Sequence, residues 1–249
     1  MHQNHFRYAA ARTLLAPFFS RATRGVPVDP APREAALQAP LRVLWDRSER
    51  GGPTVYEAAA EVRALADALA EGEATTSRIP DDLRELAARS GAGGEPAVFL
   101  DIAAYVDEWQ VGMNPKLAAA VPTAWELAQR FPLLHGMLDA YFGQDGIAME
   151  DEELSDVERI GLYVAYWHGR GTCPWRLPPV VAECSEALAL FQDDDTLRRF
   201  FARDLGLGSG SHDSWSDWLT LIADTLTTHL RREHGPLTWT GGREEQSPC

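Results

Sequence analysis

Apolar residues recur at intervals of three and four along much of the chain, and polar punctuation falls where helices begin and end. Val55, Ala59, Val62, Ala66 and Leu69 follow Thr54 and Glu57, whose T-x-x-E spacing is a capping box, and Gly72 closes the pattern. Leu83 and Leu86 mark a helix with Pro80 in its first turn and Gly91 beyond its end. In VFLDIAAYVDEW the positions Phe99, Ile102, Val106 and Trp109 keep helical spacing, which predicts helix rather than strand as far as Asn114-Pro115.

The same grammar continues in the second half. Thr123 and Glu126 form another capping pattern, and Phe131-Pro132 breaks the chain because the residue before proline avoids the helical region. Leu134, Met137, Leu138 and Tyr141 then make an apolar stripe. Further helices are predicted from Leu154 to about His168, near Pro179 to Phe191, and from Asp194 or Asp195 through Leu197, Phe200 and Phe201 to Gly206. The last begins at Ser214, buries Trp215, Trp218, Leu219, Ile222 and Leu226, and stops at Gly235-Pro236.

Val26 to Pro53 breaks this regularity. Pro27, Pro30, Pro32, Pro40 and Pro53, with Gly51 and Gly52, predict loop or extended connection, with LRVLW, residues 41–45, as a short strand. The expected fold is therefore mostly α, a helical bundle without internal repeats. Four sections are read: an N-terminal arm and proline-rich connection at 1–53, a helical region at 54–121, a second helical domain at 122–235, and a loose tail at 236–249 that contains GGREEQSPC.

Composition narrows the function classes. With 249 residues, 45% of them apolar, the chain can bury a proper core. Every apolar stretch is interrupted by Arg, Asp, Glu or Pro short of the ~18–20 residues a membrane helix needs. The formal charge of -14 disfavours nucleic acid and favours basic proteins or cations. Met1 to Val28 holds four Arg and no acid, so this segment reads as a first helix, a disordered arm or a transit peptide. Cys173, Cys184 and Cys249 are odd in number and widely spaced, which is neither a disulfide framework nor a zinc knuckle, and points to a reducing cytoplasm.

Candidate chemistry is sparse. The consecutive Asp193, Asp194 and Asp195 suggest a hard-cation site, but they would point in different directions on a helix, and acids are favoured at helix starts. His168 and Cys173 in HGRGTCPW suggest a thiol activated by imidazole, although Gly169, Gly171 and Pro174 make the segment first of all a turn. His229 and His234 lack the close, same-face spacing of helical metal ligands, and LGLGSGS lacks the Lys of a phosphate loop. No catalytic residue, metal site or cofactor is therefore assigned.

What remains is an acidic run. Asp145, Glu150, Asp151, Glu152, Glu153, Asp156 and Glu158 are seven acids with no base among them. They read either as a solvated loop plus helix start or as a docking surface for a basic protein, where charge complementarity speeds association.

FPLLHGMLDAYFGQDG, the acidic run, DDDTLRRFFARDLG and SWSDWLTLIADTL together resemble the contact-dependent growth-inhibition immunity proteins, over about Thr123 to Arg232. Tyr141, Phe142, Gln144 and Asp145 match that family's YF-x-QD segment, and the Trp215 and Trp218 helix its closing element; Gly146 stands where an aromatic is common. Residues 1–121 have no counterpart. The resemblance implies a small helical protein, part of a toxin-antitoxin pair, that binds and blocks a cognate toxin without catalysis of its own. Tyr141 and Phe142 are expected to anchor the helix end in the core, while Gln144 and Asp145 bond backbone groups of the next turn.

The expected function is thus an acidic protein that neutralises a cognate, basic toxin domain by direct contact, with neither nucleic acid nor membrane as partner. One alternative is a small helical enzyme built around His168 and Cys173 or around a metal at Asp193–Asp195. A second is an acidic nucleic-acid mimic.

Overall fold

Three of the five prolines between Val26 and Pro53 lie inside a helix. In the computed structural model, which describes residues 7–20, 25–71, 78–90, 96–111, 119–143, 146–149, 153–209 and 212–236, the chain is helical from Pro30 to Ser48. The loop and strand expected here are thus corrected. Asp29 caps this helix by accepting from the Ala31 N–H at 3.2 Å. Pro30 and Pro32 fall in the first turn, where an N–H has no intrahelical partner to lose. Pro40 does cost a ladder bond, but Leu37, Leu41 and Leu44 are fully buried on the same stripe, and that burial offsets it.

Every regular element among the described residues is a helix, and none of them is long and apolar enough to cross a membrane. The chain forms two compact units, Met1–Arg130 and Phe131–Cys249. The first contains α1 (Ala9–Leu15), α2 (Pro30–Ser48), α3 (Val55–Ala70), α4 (Asp81–Ala88), α5 (Ala97–Val111) and α6 (Ala124–Ala128). The second contains α7 (Pro132–Phe142), α8 (Asp156–His168), α9 (Cys173–Phe191), α10 (Asp194–Arg198) and α11 (Trp215–Glu233). The division follows α6, which the sequence groups with what comes after it. Gly72, Gly91, Asn114-Pro115 and the tail 241–249 with Cys249 lie outside the described residues.

In the first unit α3 packs along α5 and beneath α1, burying Leu14, Val62, Leu65, Phe99, Ile102 and Trp109. The N-terminal α1 is built into this core, with Ala11, Leu14 and Leu15 fully buried and its Ala11 N–H donating to Glu61 at 2.8 Å. Both predicted capping boxes are present: Thr54 and Glu57 open α3, and Thr123 and Glu126 open α6.

The second unit is organised by α9 and α11 lying side by side, with α8 against both and α7 on α9. Phe131, Phe191, Phe200, Phe201 and Trp215 interlock, Phe201 stacking on Trp215 with centroids 5.0 Å apart. The Phe200 and Phe201 turn is a π-helical segment, Arg199–Asp204, left at Gly206, whose φ of +70° favours glycine. α9 begins at Cys173, well before the expected Pro179, because Pro174 occupies the first turn.

Candidate functional site

The residues that carry the family resemblance meet in the core of the second unit. Phe142, at the end of α7, stands edge-on to Trp218 of α11 with centroids 4.9 Å apart, and Tyr141 meets Tyr163 of α8 at 5.2 Å. Tyr141, Phe142, Trp215 and Trp218 are all buried. Gln144 and Asp145 lie outside the described residues. Gly146 donates to the Gly143 carbonyl at 2.9 Å, and a Cβ there would come within 2.4 Å of the Tyr141 carbonyl oxygen. No side chain fits at this position without a backbone shift.

The acidic run is only partly described. Glu150, Asp151 and Glu152 lie outside the described residues, while Glu153 and Glu158 are exposed. Glu158 completes a capping box with Ser155, accepting from its backbone N–H at 2.8 Å, and the Ser155 side-chain and backbone bonds hold its carboxyl below the usual range. Asp156 differs from these two. Its side chain is 9% exposed and lies 3.1 Å from His212 Nε2 and 3.8 Å from Arg159.

The three aspartates before Thr196 divide their work as a helix start. Asp193 caps α10, accepting from the Thr196 N–H at 2.7 Å. Asp194 reaches across to α11, accepting from Ser214 Oγ at 3.0 Å and the Ser216 N–H at 2.9 Å, and pairs with Arg198. Asp195 is exposed in the first turn.

A different convergence appears at the opposite ends of these helices. His168 ends α8, Cys173 opens α9, His229 lies in the last turns of α11 and His234 immediately follows it. One ligand atom from each of the four lies within 4.8 Å of every other. The imidazole centroids are 5.1 Å apart for His168 and His229, 5.5 Å for His168 and His234, and 5.2 Å for His229 and His234.

Local backbone geometry creates the cluster. The His168–Thr172 turn is held by bonds from the Gly171 N–H to the His168 carbonyl at 2.9 Å and from the Thr172 N–H to the Trp167 carbonyl at 3.1 Å. Gly171 takes a φ of +66° that other residues resist, and this folds Cys173 back beside His168. On α11, positions five apart diverge by about 140° on a continuous helix. His234 escapes that rule by leaving the helix at φ -125° and ψ 119°, which brings its ring round to His229.

Cys173 is fully buried and Nε2 of both His229 and His234 is buried without a hydrogen-bond partner. Burial pushes the Cys173 thiol pKa up. Burial first, and then the neighbouring imidazoles, hold His229 below its ordinary value. A raised pKa leaves less of the nucleophilic thiolate. His229 also borders a surface groove of about 440 Å³ shared with Val157, Asp224 and Arg232. Cys184 is likewise fully buried, and burial with the adjacent Glu183 charge pushes its pKa up to about 12.

Glu183 is a residue that no local pattern reveals. From the middle of α9 its carboxylate accepts from the Leu133 and Leu134 N–H groups at 3.0 and 2.7 Å, capping α7 where Phe131 offers no polar side chain. In the first unit, a cavity of about 230 Å³ is bordered by Arg42, Asp46, Glu126 and Arg130, whose charges are already paired as Arg42–Glu126 and Arg130–Asp46. Comparison with protein-family models, curated proteins and solved structures finds no match to this chain.

Proposed function

We propose that this chain is an immunity-type binding protein that neutralises a cognate, basic toxin domain in the cytoplasm by direct protein–protein contact. The observation that carries the reading is the Phe142–Trp218 contact, which joins the first and last parts of the resemblance across α7 and α11. The contact brings residues from both ends of the resemblance into one core, as a shared fold requires of them. The net charge of -14 and the solvent-facing Glu153 and Glu158 favour a basic partner. Trp175, 75% exposed on the first turn of α9, supplies the kind of aromatic that anchors interfaces.

The enzyme alternative has less support. The Cys173 thiol is buried, which raises its pKa, and the carboxylates of Asp193 and Asp194 are engaged in capping.

The test captures the product of the neighbouring gene with this protein and follows binding kinetics against salt. Raising salt should slow association more than dissociation, because exposed charges are screened beyond about 8 Å at physiological ionic strength. Charge reversal at Glu152 and Glu153 should slow association without lowering the melting temperature. Rates unchanged by salt and by both reversals would reduce the acidic run to ordinary solvated surface. A catalytic activity abolished in a folded Cys173→Ser variant would favour the enzyme instead.

A further inference from the structure

We propose that His168, Cys173, His229 and His234 form a four-ligand site for a zinc-type divalent cation, which fastens the C-terminal end of α11 to the turn between α8 and α9. Three imidazoles and one cysteine sulfur, which gives its proton up to solvent as the cation binds and becomes a thiolate, are the donors that suit zinc, whereas magnesium and calcium take oxygen. A tetrahedral zinc with bonds of about 2.0–2.3 Å needs its ligand atoms roughly 3.3–3.6 Å apart. The four atoms here already lie within 4.8 Å of one another, so side-chain rotations of about an ångström complete the shell.

Two observations point to a ligand beyond simple proximity. Nε2 of His229 and of His234 are both buried with no hydrogen-bond partner, although a buried polar atom ordinarily has one. The backbone also departs from regular geometry on both sides of the cluster, at Gly171 with its positive φ and at His234 with its extended dihedrals, and each departure turns a donor inward. Ring packing among three imidazoles explains their mutual distances but leaves those nitrogens unsatisfied. A cation bound through the two Nε2 atoms satisfies both at once.

With four protein ligands the shell has no open position, which assigns the metal a structural rather than a catalytic role. His168 is exposed, so the cation can enter from solvent. The ligands come from two regions distant in sequence, and closing them through a metal should restrain the end of α11 against fraying.

The experiment uses the full chain without an affinity tag, stripped with a chelator and titrated with Zn²⁺ by calorimetry. One equivalent should bind, and the melting temperature should rise with zinc concentration. Substituting Co²⁺ should give visible bands of a tetrahedral ion together with a near-ultraviolet thiolate-to-metal charge-transfer band. Cys173→Ser should remove the charge-transfer band. His234→Ala, at the end of α11, avoids the core and should weaken zinc binding more than about tenfold. His135→Ala, on α7, should leave binding unchanged. Absence of saturable one-to-one binding would overturn the proposal, as would zinc affinity undiminished in folded His229→Ala and His234→Ala variants. No toxin enters these measurements, so their outcome is separate from that of the immunity reading.

Discussion

Phe142 and Trp218 meet edge to face with centroids 4.9 Å apart, and they tie the end of α7 to the first turns of α11. His212 stacks on the same indole at 5.3 Å, so Trp218 is enclosed by rings from two directions. Its fully buried side chain makes Trp218→Ala a large truncation, with an expected loss of about 3–5 kcal/mol. Trp218→Phe should lose less, because the indole N–H has no hydrogen-bond partner to forfeit. Chemical denaturation of both variants checks this; equal stability of Trp218→Ala and wild type would refute the placement.

Arg42 and Glu126 form a two-pronged ion pair between α2 and α6, at 2.6 and 3.0 Å, with Glu126 only 6% exposed. Removing the guanidinium leaves the carboxylate buried, so Arg42→Ala should cost roughly 3 kcal/mol. Replacing both residues with apolar ones of similar size should cost less than the single change, which a double-mutant cycle would measure.

Stability of the first unit should fall in acid. Burial alone would raise the Glu126 pKa, but the Arg42 and Thr123 bonds outweigh it and the carboxyl sits below its ordinary value. At Asp82 the hydrogen bonds from Arg12 lower the pKa against a smaller opposing effect of burial. A carboxyl depressed in the folded state stabilises fully above its unfolded pKa, about 4.3 for Glu and 3.9 for Asp, and this contribution disappears as pH falls through the lower folded value. Melting temperature followed from pH 6 to pH 2 should therefore drop at the acid end, and less steeply in Glu126→Gln. An identical profile for the variant would remove Glu126 as a cause.

Glu183 caps α7 from another helix, so Glu183→Ala should release the first turn of α7 and cost about 1–2 kcal/mol. Hydrogen exchange at Leu133 and Leu134 should rise in that variant before exchange elsewhere in α7. Unaltered protection at these two amides would contradict the cap.

Asp194→Ala breaks the bonds to Ser214 and Ser216 and should destabilise the start of α11 by about 1–3 kcal/mol. The wild-type melt should not respond to added Mg²⁺ or Ca²⁺ through these aspartates. A cation-dependent shift that vanishes in Asp194→Ala would restore the metal reading of Asp193–Asp195.

The capping boxes at Thr54 and Thr123, the apolar stripe of α5 and the buried face of α11 are legible in the linear chain because each is written in steps of three or four residues along it. Asp193 belongs to the same class, since a cap acts on an amide three positions away. α2 was not legible, because a proline's effect depends on its place in the helix and on burial supplied by helices far along the chain. Glu183 as a cap for Leu133 and Leu134, and Asp156 facing His212 rather than open solvent, are likewise decided by which helices pack together. The His168, Cys173, His229 and His234 cluster combines both difficulties. Its two halves are brought together by the packing of α8, α9 and α11, and within α11 the His229–His234 spacing points away from a shared face until the backbone leaves the helix at His234. Periodicity reports the face a residue shares with its near neighbours, and convergence of side chains from separate helices is settled only when those helices bury their apolar faces against one another.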